Sequence, residues 1–260
     1  MDLAAYLRRI GLPADPALPA NLETLRRLTW HHVRHVPFEN LDVQLGVAIR
    51  LDLPSVFEKL VRRRRGGYCF EQNTLFSAVL CELGYEVTPL AARVRWNATG
   101  PTPRTHMLLV VRAEDRDWIV DVGFGGHMPT APIPFTHDVE HRERLGTFLM
   151  AREGPFHVLR TRGAEGLLDM YAFTDEPHHP IDYEAMNHFT STHPGSRFVR
   201  NLIVSRTTED AREAILNLEH IVRGPEGTTK RALGAHELVP LLRERFGLEV
   251  PDDSVFSALR

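Results

Sequence analysis

The residues with the most chemical promise lie in three short runs of a 260-residue chain. In the first, Arg65-Gly66-Gly67-Tyr68-Cys69-Phe70-Glu71-Gln72-Asn73, two glycines permit a tight turn with positive φ and deliver Cys69 to the first turn of a following helix. Unpaired backbone N–H groups and the positive end of the helix dipole stabilise a thiolate there, and so raise the nucleophilic fraction of a thiol near neutral pH. The same N–H groups suit an oxyanion. A lone cysteine is ordinarily a small buried hydrophobe. Cys81, beside Val79, Leu80 and Leu83 with no glycine turn, is assigned to packing. Cys69 departs from that reading through its place after Gly-Gly.

A thiol nucleophile needs a base. His106 opens the strand-like run Thr105-His106-Met107-Leu108-Leu109-Val110-Val111, directly after a proline-containing loop, where a histidine can face a cleft. With 14 histidines in the chain, this one alone would be unremarkable. Asp121 gives it weight: Trp118-Ile119-Val120-Asp121-Val122-Gly123 sets a carboxylate inside an apolar strand, where the ion must find a partner. An imidazole N–H is such a partner. Cys, His and Asp in that order, on a helix start and two later strands, suit thiol acyl transfer or thiol hydrolysis.

The elements that must position these groups follow from periodicity. Asp2 caps a short helix ending at Gly11, Asn21 caps a second with Leu22, Leu25, Leu28 and Val33 on one face, and Pro37 stops it. A third runs from about Pro54, with Val56, Phe57, Leu60 and Val61 on one face, to Gly66-Gly67, and a fourth from about Cys69 to Gly84. Residues 86–96, 106–113 and 117–124 are rich in Val, Ile and Leu between turn residues and read as neighbouring antiparallel strands, continued by 147–171. Beyond Asp182 the signals mix, with strand-like 198–204 and 214–222 before a helix over 235–246. The order is helices first, a sheet or barrel in the middle, and a mixed C-terminal part.

Composition bounds the rest. With 43% hydrophobic and 25% charged residues the chain can bury a large core, which excludes disorder and fibre. A net charge of -3 gives no reason to expect nucleic acid or an anionic membrane as partner. Arg62 to Arg65 is one local basic run, and three of its four arginines read as a solvated helix end. The opening residues carry an acid and early arginines, and no stretch approaches the apolar length of a membrane span, so neither leader nor anchor is expected. Two cysteines make no disulfide framework; reduced thiols in the cytoplasm are expected.

These residues resemble the arylamine N-acetyltransferase family. The likeness is carried by Pro37-Phe38-Glu39-Asn40-Leu41, residues 65–73, Arg104-Thr105-His106, Asp121-Val122-Gly123-Phe124-Gly125-Gly126 and Thr130-Ala131-Pro132, in order and in register along the whole chain. The resemblance implies an α+β fold with a cysteine-protease-like catalytic core: a helical bundle over 1–85 carrying Cys69, an antiparallel β-barrel over 86–190 carrying His106 and Asp121, and an α/β lid over 191–260. It implies acetyl-CoA as co-substrate, no metal, and an arylamine or arylhydrazine acetylated on nitrogen by a two-step exchange through a Cys69 thioester. Arg65 and Glu39 would be a buried ion pair tying the nucleophile turn to the Pro-Phe-Glu-Asn-Leu segment, and Phe38 and Phe124 would stack on the acceptor. Arg104, Thr105, Gly125 and Gly126 would approach the CoA pyrophosphate, unless those glycines only turn the chain.

Two departures stand out. Tyr68 holds a place where many relatives carry tryptophan, and Arg95 sits in a segment that in the family lines the acceptor pocket. If Arg95 points inward, anionic aromatic amines become more plausible acceptors; if outward, it is a solvated strand face. His31, His32 and His35 lack the His-Glu-x-x-His order of a metal helix and read as amphipathic helix residues, and His178-His179 as loop. The rival readings are a papain- or transglutaminase-like thiol hydrolase, an amide synthase of the same family acting on a biosynthetic thioester, and a binding protein with a vestigial triad. All three functional groups are intact, which counts against the last.

Overall fold

The computed structural model describes residues 1–14 and 18–260. The first helices start where their caps predict. Asp2 accepts the Ala5 N–H at the head of α1 (Leu3–Arg9), and Asn21 accepts that of Thr24 at the head of α2 (Leu22–His35). Pro37 ends α2 and leads into a two-residue strand, β1 (Phe38–Glu39), followed by α3 (Leu41–Gln44) and α4 (Leu53–Phe57). The third predicted helix leaves α geometry early, continuing as a π-turn over Glu58–Arg62 and closing with Arg64 left-handed at φ 55°. Arg62, Arg63 and Arg64 are exposed there and Arg65 is buried. The nucleophile helix is α5 (Cys69–Glu82).

The barrel is built from β2 (Glu86–Val94), β3 (Arg104–Ala113), β4 (Arg116–Val120), β5 (Ile133–Pro134), β6 (Glu140–Glu143), β7 (Gly146–Glu153), β8 (Phe156–Gly163) and β9 (Gly166–Pro177). Its order is β5-β4-β3-β2-β9-β8-β7-β6, antiparallel throughout and nearly closed. Strand alternation sorts β3: Met107, Leu109 and Val111 pack with the helices, while Leu108 packs inside the barrel with Ile119, Phe148, Met150, Tyr171 and Phe173. His106 shares the parity of Leu108.

Next come α6 (Pro180–Thr192), α7 (Arg197–Arg200), β10 (Ile203–Thr207), β11 (Arg212–Leu216), β12 (Glu219–Gly224), β13 (Gly227–Ala232) and α8 (Ala235–Phe246). The second sheet runs β1-β10-β11-β12-β13, so its first strand is lent by the N-terminal third, with Phe38 opposite Ser205 and Glu39 opposite Val204. Leu238, Val239, Leu242 and Phe246 of α8 pack on Leu202, Val204 and Ile215.

Three details differ from the sequence reading. The strand expected over 198–204 begins only at Ile203, because Ser196 caps α7 and Asn40 and Gln44 hold the Phe198 and Asn201 carbonyls. The strand over 214–222 is two strands hinged at Asn217, φ 54°. Helix α6 went unread because polar residues interrupt its apolar face. Among the described residues no helix is long and apolar enough to cross a membrane.

Candidate active site

Cys69 is the first residue of α5, and the side chain of Tyr68, the residue before it, makes no hydrogen bond to the helix start. The glycines before it act differently from the sequence reading: neither has positive φ. They are needed for close approach. A Cβ on Gly66 would lie 2.1 Å from the Pro37 carbonyl oxygen, and one on Gly67 2.7 Å from Glu71 Oε2. That Glu71 carboxylate accepts the Tyr68 N–H at 3.1 Å, fixing the turn just ahead of the sulfur.

His106 and Asp121 meet as expected. His106 Nε2 lies 2.7 Å from Asp121 Oδ2, with both groups buried. This leaves Nδ1 for the sulfur, and Cys69 Sγ sits 3.6 Å from the Thr105 carbonyl oxygen beside it. Burial alone would lower the imidazole pKa; the Asp121 carboxylate and then a hydrogen bond and charge from Cys69 override it and push it up to about 10. The ring is walled by Phe124, edge-on at 5.2 Å between centroids, and by Tyr171 at 4.8 Å. Asp121 Oδ1 accepts the Gly123 N–H at 2.9 Å and Asn73 Nδ2–H at 3.2 Å. Asn73 also donates to the Met107 carbonyl at 2.8 Å and accepts the Val122 N–H at 3.3 Å, so one side chain laces α5 to β3 and to the chain beyond β4. Sequence reasoning gave Asn73 no role, although its place one helical turn after Cys69 was the signal.

Arg65 and Glu39 form a buried bond pair, Nε and Nη2 to Oε1 at 3.0 and 2.8 Å. The structure enlarges it. Arg65 reaches Asp42 at 3.0 Å, and Lys59 bridges Asp42 at 2.8 Å and Glu71 at 2.7 Å. Two cations thus hold three carboxylates under the nucleophile turn. Burial lifts the Glu71 carboxyl to about 6 despite Lys59, and the carboxylates around Lys59 outweigh its burial and raise its own pKa.

A cavity of about 570 Å³ opens over Cys69 and His106. Phe38, Phe124, Thr105, Gly125 and Gly126 line it, with Trp96 and Phe198, which the sequence did not single out. Arg104 does not line it: its guanidinium turns to Glu176 at 2.9 Å in an exposed ion pair. Arg95 points away from the cavity, pairing with Glu153 at 2.5 Å and Asp169 at 3.2 Å. The Tyr68 hydroxyl is bonded to Asn187 of α6.

The remaining histidines of interest are accounted for. His32 is buried between Tyr6 Oη at 2.8 Å and Gln72 Oε1 at 2.7 Å, and burial pushes its pKa down to about 4. His31 and His35 stack on each other. Among the described residues no cluster of His, Cys, Asp and Glu is arranged to hold a metal ion. Cys81 is exposed, not packed, because it continues the outer face of α5 through Thr74, Ser77 and Ala78.

Residues 21–255 match a family model described as N-acetyltransferase. The chain is 39% identical over 259 residues to an arylamine N-acetyltransferase of Mycolicibacterium smegmatis, covering 97% of this chain and 94% of the relative. It superposes on the arylamine N-acetyltransferase of M. tuberculosis with a TM-score of 0.93 at 37% identity, over 99% of this chain and 98% of that one. On the Mycobacterium marinum arylamine N-acetyltransferase in complex with CoA the TM-score is 0.90 at 35% identity, over 95% and 92%.

Proposed function

This chain belongs to the arylamine N-acetyltransferase family, and from that premise we propose that Cys69, His106 and Asp121 carry an acetyl group from acetyl-CoA to an arylamine or arylhydrazine nitrogen through a Cys69 thioester. The observation that carries the reading is the Cys69 sulfur at a helix start, beside a His106–Asp121 pair held at 2.7 Å, under a cavity walled by Phe38, Phe124 and Phe198. In the resting site a Cys69 thiolate faces an imidazolium. The sulfur attacks the acetyl carbon, backbone N–H groups at the start of α5 hold the oxyanion, and the CoA thiolate leaves with the proton of His106. His106 is now neutral. When the amine attacks the thioester, His106 takes its proton, the sulfur departs as thiolate, and the ion pair is restored.

The loss of charge on Cys69 during the first step suits the second. The thiolate is one of the groups that hold the imidazole proton, so its conversion to a neutral thioester lowers the His106 pKa and leaves the ring in the free-base form that the second step needs. We place the reaction in the cytoplasm, where acetyl-CoA is at hand and thiols stay reduced. Intact mass after incubation with acetyl-CoA tests the reading: one acetyl group on the wild type, none on Cys69→Ala, and discharge faster by an aromatic amine than by water. An adduct that survives Cys69→Ala would end it, and rapid discharge by water alone would favour a hydrolase.

A further inference from the structure

The cavity wall carries a charge bias that the two transfer steps do not explain. Its lining includes Arg197 and Arg200 but no aspartate or glutamate, in a chain with 34 acidic residues against 31 basic ones. Arg200 is engaged, donating from Nη2 to the Gly195 carbonyl at 2.6 Å. The Arg197 guanidinium, exposed at the cavity mouth, has no carboxylate partner among the described residues, and partial loss of water alone lowers its pKa from the ordinary arginine value. Nearby, the His127 ring packs against that of Trp96, tilted by 31° with centroids 4.3 Å apart. Burial, then Arg223, Arg212 and Arg197, push the His127 pKa down to about 3, so this wall gains no further titrating charge near neutrality and its surroundings are cationic.

Arg197 also stands in a telling place. It precedes Phe198, whose ring packs 5.9 Å from that of Phe38 and 5.5 Å from that of Tyr68, on the aromatic side of the cavity next to Cys69. A flat ring lying there with its amine over the sulfur directs its far substituent to the mouth. A guanidinium at that point accepts a planar carboxylate through two parallel N–H bonds.

We propose that Arg197 sets acceptor specificity, favouring aromatic amines that carry a carboxylate on the ring remote from the amine. The proposal rests on the acetyl-transfer reading and adds the charge class of its acceptor. The phosphates of the donor are the other anions that reach this cavity, so the two half-reactions are measured apart. Cys69 is acetylated with limiting acetyl-CoA and the rate followed by intact mass; the acetyl-enzyme is then discharged with limiting 4-aminobenzoate or with its methyl ester. The ester shares the ring and amine without the charge, and its discharge reports an intact fold.

In Arg197→Gln the ratio of acid to ester discharge falls about tenfold, the worth of roughly 1.4 kcal/mol, and Arg197→Lys recovers part of it. The loss appears in KM for 4-aminobenzoate more than in kcat. An unchanged ratio overturns the proposal. So does a tenfold slower loading step with the ratio intact, which assigns Arg197 to the donor's phosphates. If wild-type Cys69 takes up no acetyl group at all, the transfer reading itself has failed first.

Discussion

Replacing Gly123 by alanine tests whether close contact between two segments, and nothing about flexibility, sets the geometry of the triad. A Cβ at this position would lie 2.7 Å from the Cys69 Cα and 2.8 Å from Asn73 Nδ2, whereas ordinary contact begins at 3.4 Å. The obstacle is backbone, which cannot rotate away. The start of α5 and the 121–123 segment must therefore separate by roughly 0.7 Å, and the movement carries Cys69 on one side and Asp121 on the other. Misplacement on the order of 1 Å costs about 10²-fold in rate at a preorganised site, and overpacking costs about 1–3 kcal/mol of stability. At roughly 2–4 °C per kcal/mol for a chain of this size, Tm falls by several degrees. Single-turnover acetylation of Cys69, followed by intact mass well below Tm, should slow by roughly 10²-fold. Gly100→Ala is the control, since nothing lies within 4 Å of its Cβ. A Gly123→Ala enzyme that loads acetyl within threefold of the wild-type rate, at unaltered Tm, refutes the reasoning.

Two further perturbations follow from charge. The His106 pKa stands near 10 against an ordinary 6.5, so the stability it contributes is fully present below about 6.5 and is lost as pH rises toward 10. Cys69→Ala removes the sulfur's share of that support and leaves Asp121, so the ring should titrate at lower pH by NMR than in the wild type but still above 6.5; wild-type titration at 6.5 would contradict the buried pair. Lys59→Met leaves Arg65 alone among Glu39, Asp42 and Glu71, a loss of about 3–5 kcal/mol for breaking a buried ion network. Because the Glu71 carboxyl is already raised to about 6 and rises further without Lys59, this deficit should shrink from pH 8 to pH 5.5 as Glu71 takes a proton. Urea unfolding at the two pH values measures it, and an equal deficit at both would show that Glu71 does not carry the excess charge.

The parts of the site legible in the sequence are those whose residue type conflicts with its setting. Asp121 amid apolar residues, which the structure places just past the end of β4, and Cys69 after Gly-Gly each need an explanation that a partner supplies, and the structure brings His106 to both. The pairing of Arg65 with Glu39 came from the family resemblance, and the structure holds the two together at 2.8 Å. Lys59 and Asp42 were not legible, because a lysine or an aspartate on a short helical segment is ordinarily solvated, and only the fold reveals that these two meet beneath the nucleophile turn. Nor was the side-chain direction of Arg104 readable: it sits at the start of the strand that carries His106, and its guanidinium turns to Glu176, 72 residues away.

The deeper gap concerns how the third part of the chain reaches the site. Phe38–Glu39 is too short to announce itself as a strand, yet it pairs with β10 on one side while Phe38 bridges Gly67 on the other. Through this one dipeptide the nucleophile turn is registered against the C-terminal sheet. Asn40 completes the join, its amide donating to the Phe198 and Asn201 carbonyls and its oxygen accepting the Ile203 N–H at 2.8 Å. The aromatic wall at Phe198 is thereby fixed relative to Cys69 by backbone pairing across more than 160 residues of sequence. Apolar periodicity cannot foretell such a contact, because it is made by polar groups whose partners are main-chain atoms with no sequence signature. Proteins that keep the triad but alter Asn40 should therefore retain thioester formation while losing the shape of the acceptor wall.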